Sequence, residues 1–210
     1  MTRILLVANT DWYLYRFRLS LARFLQARGL EVVLVSPGGE YAPLIAAEGF
    51  RWVEWQVGRQ SVNLLGELSA VLSLWRIFRL ERPDLVHLHT VKPVLYGSLA
   101  AWLVGVRAVV RSITGRGYVF LGQDRQARFL RPLVSGLYRF LLFGRGGAAI
   151  FENTADRQYF LDRKLVRPSA VHLIEGVGQQ GLHVEQGPQA AELYLGLLPL
   201  NGQRHLGQML

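Results

Sequence analysis

The 210-residue chain contains no cysteine, which excludes disulfides, a thiolate nucleophile and any sulfur-based zinc site. Lysine is almost as scarce, with Lys92 and Lys164 the only ones, so nearly all of the formal net charge of +9 is arginine. Arginine grips phosphate bidentately where lysine acts as a point charge. Long apolar runs are missing too. The longest, Val94–Val106, is interrupted by Gly97, Ser98 and Gly105 and falls short of the roughly 20 residues that a membrane span needs, so no transmembrane helix is expected. The opening MTRILLVANTDW meets a polar turn after a short apolar run. Without the longer apolar stretch and small-residue cleavage site of a secretory signal, it reads as a first strand.

Several nucleotide and hydrolase signatures are also absent. The first strand runs into Asn9-Thr10-Asp11-Trp12-Tyr13 and not into G-x-G-x-x-G, which argues against a nicotinamide dehydrogenase. There is no G-x-x-x-x-G-K-[ST] phosphate loop and no G-x-S-x-G nucleophile elbow, which argues against a P-loop nucleotidase and an α/β-hydrolase. No metal site is expected: His87 and His89 are taken to face opposite sides of their strand, and no carboxylate cluster lies near them in sequence.

What is present is half apolar, at 50% hydrophobic residues, enough for a substantial core in one domain or one domain and a fragment. Runs rich in Val, Ile and Leu recur at Ile4–Ala8, Val32–Ser36, Leu85–Leu88, Ala108–Arg111 and Ala148–Phe151, with a weaker candidate at Trp52–Trp55. Helix-like segments separate them, the alternation of a doubly wound, mostly parallel α/β sheet. A first helix is expected over Arg16–Arg28, with Phe17, Leu21, Phe24 and Leu25 on one stripe and Gly29 as its stop. A second is expected over Leu64–Leu80, with Leu68, Val71, Leu72, Trp75 and Phe78 inward.

The chemistry concentrates at strand exits. In DLVHLHTVKPVLYG an apolar strand ends in the His89 imidazole, the Thr90 hydroxyl and the Lys92 ammonium, at the edge where open α/β sheets bind ligands. A histidine at a strand end is by itself an ordinary structural residue, but a proton-transfer group beside an anion-binding group suits one small cleft. After Ala108–Arg111 comes a second exit, Ser112-Ile113-Thr114-Gly115-Arg116-Gly117-Tyr118. Its glycines let backbone approach a ligand closely while Arg116 reaches an oxyanion. Doubly wound geometry should bring both exits near the Asn9–Arg18 loop.

Arg125–Phe143 combines Arg125, Arg128, Arg131 and Arg139 with many Phe and Leu, and Pro132 is expected to kink it or mark its start. It reads either as a helix lying on an anionic membrane surface or as a core helix with a wet basic face. Beyond Gly178 the texture changes: the Gln- and Gly-rich stretch to Leu210 has no sustained period. It is expected to be a poorly ordered tail with a short helix near Gln189–Leu198, and it reads more like translation in a wrong frame than a linker. The net charge alone is compatible with nucleic acid, anionic lipid or nucleotide and pyrophosphate substrates; nothing beyond charge favours nucleic acid.

Four ordered motifs, ILLVANTDWYLYRFR, HLHTVKPVLYGS, ITGRGYVF and IFENTADRQYFL, resemble the N-terminal domain of glycosyltransferase family 4 enzymes. The likeness is to the bacterial branch that acts on undecaprenyl-diphosphate-linked saccharides, and it covers residues 1–178, leaving 179–210 as a divergent tail. The resemblance implies a Rossmann-like half of a GT-B architecture in a retaining enzyme with a nucleotide-sugar donor, a lipid-linked saccharide acceptor, no metal and no cofactor. It implies His89 as the active-site histidine that contacts the transferring sugar. It also implies Asn9, Thr10 and Asp11 facing the cleft, Arg16 and Arg18 meeting acceptor diphosphate, and Lys92 and Thr114, Gly115, Arg116, Gly117 and Tyr118 on the acceptor side. Arg128, Arg131 and Arg139 would face the inner surface of the plasma membrane, placing the protein in the cytoplasm as a peripheral protein. The family's donor-binding domain is not matched, so the expectation is an acceptor-side domain inactive alone. A different class, a non-catalytic membrane-associated subunit that recruits a separate donor-binding chain, is the competing expectation.

Overall fold

The computed structural model describes residues 1–58, 64–143, 147–174 and 196. The expected boundary at 178 and, apart from Gly196, the tail lie outside the described residues. In chain order the elements are β1 (Arg3–Val7), α1 (Asp11–Phe17), α2 (Leu19–Gln26), β2 (Glu31–Ser36), α3 (Ala42–Ala47), β3 (Arg51–Glu54), α4 (Leu64–Glu81), β4 (Leu85–His89), α5 (Ser98–Val104), β5 (Ala108–Ile113), α6 (Gly117–Leu121), α7 (Arg125–Tyr138), β6 (Ala148–Phe151), α8 (Thr154–Asp162) and β7 (Val171–Leu173). Wider π-type turns lead into α5 at Pro93–Gly97 and out of α7 at Arg139–Phe143.

Among the described residues the sheet has seven strands in the order β3-β2-β1-β4-β5-β6-β7, and every pairing is parallel. This is the doubly wound, Rossmann-like fold expected from the sequence. β4, β5 and β6 are buried along their whole length, which is why they read as continuous apolar runs and not as alternating ones. Two apolar layers sandwich the sheet. Leu5, Val7, Val86 and Leu88 pack with α4, α5 and the end of α7, while Ile4, Leu6, Leu85 and Val110 pack with Leu14 of α1 and Leu21, Ala22 and Leu25 of α2.

Three expectations need correcting. The helix placed over Arg16–Arg28 starts at Asp11, where Thr10 caps it by accepting a hydrogen bond from the Tyr13 amide at 3.1 Å, and it breaks at Arg18, whose backbone leaves the helical region at φ −124°. The expected stripe of α4 is rotated: Ala70, Leu74, Ile77 and Phe78 are buried while Leu68 and Leu72 are 56% and 45% exposed. That helix is apolar on most of its circumference, so periodicity did not single out a face. The third concerns the histidines. Side chains two apart on a strand share a face, and the His87 and His89 rings lie side by side, their centroids 3.8 Å apart.

Candidate functional site

The strand order reverses direction between β1 and β4, since β1 is flanked by β2 on one side and β4 on the other. The exits of such a pair form the crevice where open sheets take ligands. At this point β4 ends on His89, and Thr90 follows in the left-handed region at φ 71°. That conformation is uncommon for a β-branched residue and is strained. The Thr90 amide is held by the Ser112 carbonyl at 3.3 Å, and its hydroxyl oxygen is buried without a partner among the described residues.

The break at Arg18 turns that side chain into the sheet beneath this exit. Arg18 is 3% exposed. Its Nε donates to His89 Nδ1 at 3.1 Å and its Nη2 to the Tyr13 hydroxyl at 2.5 Å. The same nitrogen pairs with Glu152 Oε1 at 3.3 Å, where Glu152 directly follows β6. The guanidinium also lies over the Tyr13 ring, 5.1 Å from its centroid. Next to this group, His87 Nε2 shares a hydrogen bond with Ser112 Oγ at 2.7 Å.

The protonation state of His89 follows from its partner. A guanidinium N–H only donates, so Nδ1 must accept, and a neutral imidazole then carries its proton on Nε2. Burial holds the basicity of both histidines well below the ordinary value of 6.5, reinforced at His89 by His87 and Arg18 and at His87 by Arg18. His89 is thus a neutral ring with an N–H at Nε2, and that nitrogen is buried and has no partner among the described residues. Burial also pushes the Tyr13 hydroxyl up to about 12 and raises the Glu152 carboxyl, against the opposing pull of Arg18. The ring of His89 is 0% exposed, so in this conformation it lies under the crevice floor.

The other candidate residues take different places. Asp11 is a loop anchor: its carboxylate accepts from the Trp12 amide at 2.8 Å and from the Tyr41 and Ala42 amides at 2.8 and 3.0 Å. A side chain on Gly39 would meet it, with a Cβ 2.5 Å from Asp11 Oδ2. Arg16 is exposed, with its guanidinium 5.9 Å from the Tyr41 ring centroid. Lys92 donates to Glu67 Oε1 at 2.8 Å and to the Gly58 carbonyl at 2.7 Å, and Tyr96 donates to the other Glu67 oxygen at 2.6 Å. Arg116 pairs with Asp156 at 2.8 Å and covers the Tyr159 ring, which pins the β5 exit onto the start of α8. Gly117 sits at φ 69°, where a Cβ would stand 2.9 Å from Val91 Cγ2, so this loop packs on the β4 exit. Thr114 and Gly115 are half-buried within it, and Tyr118 donates to Asp124 at 2.5 Å.

On α7, Arg131 donates to the Val119 and Gly122 carbonyls at 3.1 and 2.8 Å. Arg139 donates to the Arg163 and Lys164 carbonyls at 2.9 and 3.4 Å, whereas Arg128 is exposed. The structure therefore gathers His89 and Arg18, and adds Tyr13, His87, Ser112 and Glu152, to which the sequence reading gave no role in the site. Glu152 had a signal, since it is the first residue past a buried strand. Among the described residues, no group of three or more His, Asp or Glu could hold a metal, and no described helix is long and apolar enough to cross a membrane.

Fold and crevice together define a Rossmann-like domain with a buried histidine-arginine cluster under its switch point. A family model described as glycosyl transferase 4-like matches residues 3–142, and the chain belongs to that family. A curated relative, the N,N'-diacetylbacillosaminyl-diphospho-undecaprenol alpha-1,3-N-acetylgalactosaminyltransferase of Campylobacter jejuni, is 23% identical over 176 residues, 84% of this chain and 46% of that protein. Another, the UDP-Gal:alpha-D-GlcNAc-diphosphoundecaprenol alpha-1,3-galactosyltransferase of Escherichia coli, is 32% identical over 68 residues, 32% of this chain and 17% of that protein. The chain spans less than half the length of these relatives. Among solved structures, a glycosyltransferase from Rickettsia africae superposes with TM-score 0.58 at 16% identity, covering 92% of this chain and 49% of that one. A sucrose-phosphate synthase fragment from Thermosynechococcus elongatus superposes with TM-score 0.59 at 12% identity, covering 92% and 99%. At such identities the structural likeness speaks to the fold alone.

Proposed function

We propose that this chain is the acceptor-side half of a retaining glycosyltransferase that moves a sugar from a nucleotide-sugar to a lipid-linked saccharide in surface glycan synthesis. The observation that carries the reading is the Arg18–His89 pair, buried and hydrogen-bonded at 3.1 Å beneath the β1/β4 switch point, in a chain of the glycosyl transferase 4-like family. The activities named for the two curated relatives, both on diphosphoundecaprenol-linked sugars, suggest the acceptor class.

In this reading His89 serves the transferring sugar as a hydrogen-bond donor through Nε2–H, and its depressed basicity makes it a poor proton acceptor. Because the ring is covered, the start of α1 that carries Tyr13 moves aside when substrate enters. Asn9, Thr10, Arg16, Thr114, Gly115 and Tyr118 line the acceptor side of the crevice. Stabilising a departing nucleoside diphosphate is commonly the largest catalytic contribution in such chemistry. The groups for it come from a donor-binding half or partner chain, so this chain alone turns over poorly. The exposed Phe129 and Leu133 of α7, 79% and 67% accessible, beside Arg128, seat the protein on the inner face of the plasma membrane.

Isothermal titration tests the assignment of halves. A prenyl-diphosphate-linked N-acetylhexosamine should bind and a nucleotide-sugar should bind weakly or not at all; micromolar affinity for the nucleotide-sugar would assign the donor to this half and defeat the proposal. Flotation with phosphatidylglycerol vesicles tests the membrane placement. Binding should require anionic lipid and fall when Arg128, Arg131 and Arg139 are neutralised together, and indifference to both removes the membrane claim.

A further inference from the structure

Tyr13, in the first turn of α1, lies across both groups of the crevice floor. Its ring is tilted over the His89 ring, their centroids 5.6 Å apart, and is braced by Phe17 at 5.4 Å. Its hydroxyl accepts from Arg18 Nη2 at 2.5 Å, and the guanidinium stands 5.1 Å from the ring centroid. His89 and Arg18 are buried, whereas Tyr13 itself is half-buried, so the phenol forms part of the surface above them.

This contact completes the hydrogen bonding of one group and leaves the other open. An aromatic ring packed on an imidazole gives the Nε2–H no acceptor in its plane, and His89 Nε2 is buried without a partner among the described residues. The Thr90 hydroxyl oxygen that follows it is in the same position, on a backbone held at φ 71°. Buried polar atoms without partners cost stability, and local strain of this kind is characteristic of ligand clamps and switch regions. A tyrosine placed there for packing alone would not leave these atoms unmet. What Tyr13 presents to the floor is an uncharged hydroxyl on a six-membered ring, since burial pushes the phenol up to about 12. A pyranose presents the same elements, with further hydroxyls able to accept from His89.

We propose that Tyr13 is an internal stand-in for the sugar: it holds Arg18 and covers His89 until a sugar takes both places, with one hydroxyl accepting from His89 Nε2–H and another oxygen accepting from Arg18 Nη2. The inference rests on the acceptor reading above and adds a competition to it. The affinity for the acceptor is lowered in proportion to the fraction of chains in which Tyr13 has moved aside. Tyr13 is then a restraint on binding and not a group that holds substrate.

The test titrates farnesyl-diphosphate-linked N-acetylglucosamine into the wild-type chain, Tyr13→Ala and Tyr13→Phe by calorimetry. One hydrogen bond of ordinary net strength is worth about three- to tenfold in affinity, so Tyr13→Ala should bind at least about threefold more tightly than the wild type. Tyr13→Phe, which keeps the ring and loses only the bond to Arg18, should fall between the two. A second measurement needs no ligand. Diethyl pyrocarbonate acylates uncharged imidazoles that it can reach, and mass spectrometry should show His89 acylated severalfold faster in Tyr13→Ala, with His87, bonded to Ser112, as slow as before. Equal or weaker affinity in Tyr13→Ala, or unchanged acylation of His89, overturns the stand-in and leaves the acceptor reading in place. Should Tyr13→Ala lose its cooperative melt, Tyr13→Phe decides alone, and affinity no better than that of the wild type overturns the inference. Failure of all three chains to bind the acceptor analogue overturns the acceptor reading and this inference together.

Discussion

Replacing Arg18 with methionine keeps a long unbranched side chain but removes every donor that organises the crevice floor. The imidazole of His89, the hydroxyl of Tyr13 and the carboxylate of Glu152 lose their shared partner at once. With Arg18 3% and the Glu152 side chain 23% exposed, the pair is sheltered enough for a buried-pair figure, and breaking such a pair costs about 3–5 kcal/mol. At ~2–4 °C per kcal/mol for a chain of this size, the melting temperature should fall by about 6–20 °C. Part of that loss comes from the stranded carboxylate, so adding Glu152→Gln should recover about 1–2 kcal/mol of it. Urea titrations of the wild type, both single variants and the double variant give the cycle. A cost below about 1 kcal/mol for Arg18→Met, or strict additivity with Glu152→Gln, would falsify the claim that these groups form one buried network.

Further expectations follow from the same geometry. In a long-range proton–nitrogen NMR spectrum, His89 should show its proton on Nε2 and a bare Nδ1; the reverse pattern would contradict the Arg18 hydrogen bond. Because the folded-state basicity of His87 and His89 is depressed, the unfolded chain binds more protons below about pH 6.5. Their stabilising contribution is therefore present above that pH and is lost as pH falls, by up to about 1.4 kcal/mol per unit for each ring. His89→Gln should halve this slope in unfolding titrations between pH 7 and 5.5, and an unchanged slope would show that the ring does not titrate as described. The raised Glu152 carboxyl acts with the opposite sign. Thr90→Gly should relieve left-handed strain and leave the melting temperature unchanged or raise it by the equivalent of about 1 kcal/mol; a clear drop would mean that the Thr90 side chain contributes more than its backbone strain costs. Gly136→Ala should stabilise α7 by about 0.5–1 kcal/mol, read as a shift in urea midpoint.

Strand positions and the parallel sheet were legible because fully buried strands leave unbroken Val, Ile and Leu runs, as at β1, β4 and β6. β7 was not marked, since Val171–Leu173 is short and only partly covered. The His89 exit was legible because ligand crevices follow from strand order. Its chemistry was not. The family resemblance implies that Arg18 meets the acceptor diphosphate, and only the helix break directs it inward against His89. Likewise, Arg116 and Asp11 read as ligand groups, yet an ion pair with Asp156 and three backbone amides occupy them.

The linear order of residues decided the local matters: which segments are strands, where Thr10, Asp124 and Asn153 cap helices, and where glycine permits a left-handed turn. These depend on neighbours within a few positions. Folding in three dimensions decided which side chains share a site, because Arg18, His89 and Glu152 are separated by 71 and 134 positions from Arg18 and meet only when β1, β4, β5 and β6 lie side by side. It also set the protonation of His89, since burial and a neighbouring guanidinium are properties of packing and have no counterpart in sequence.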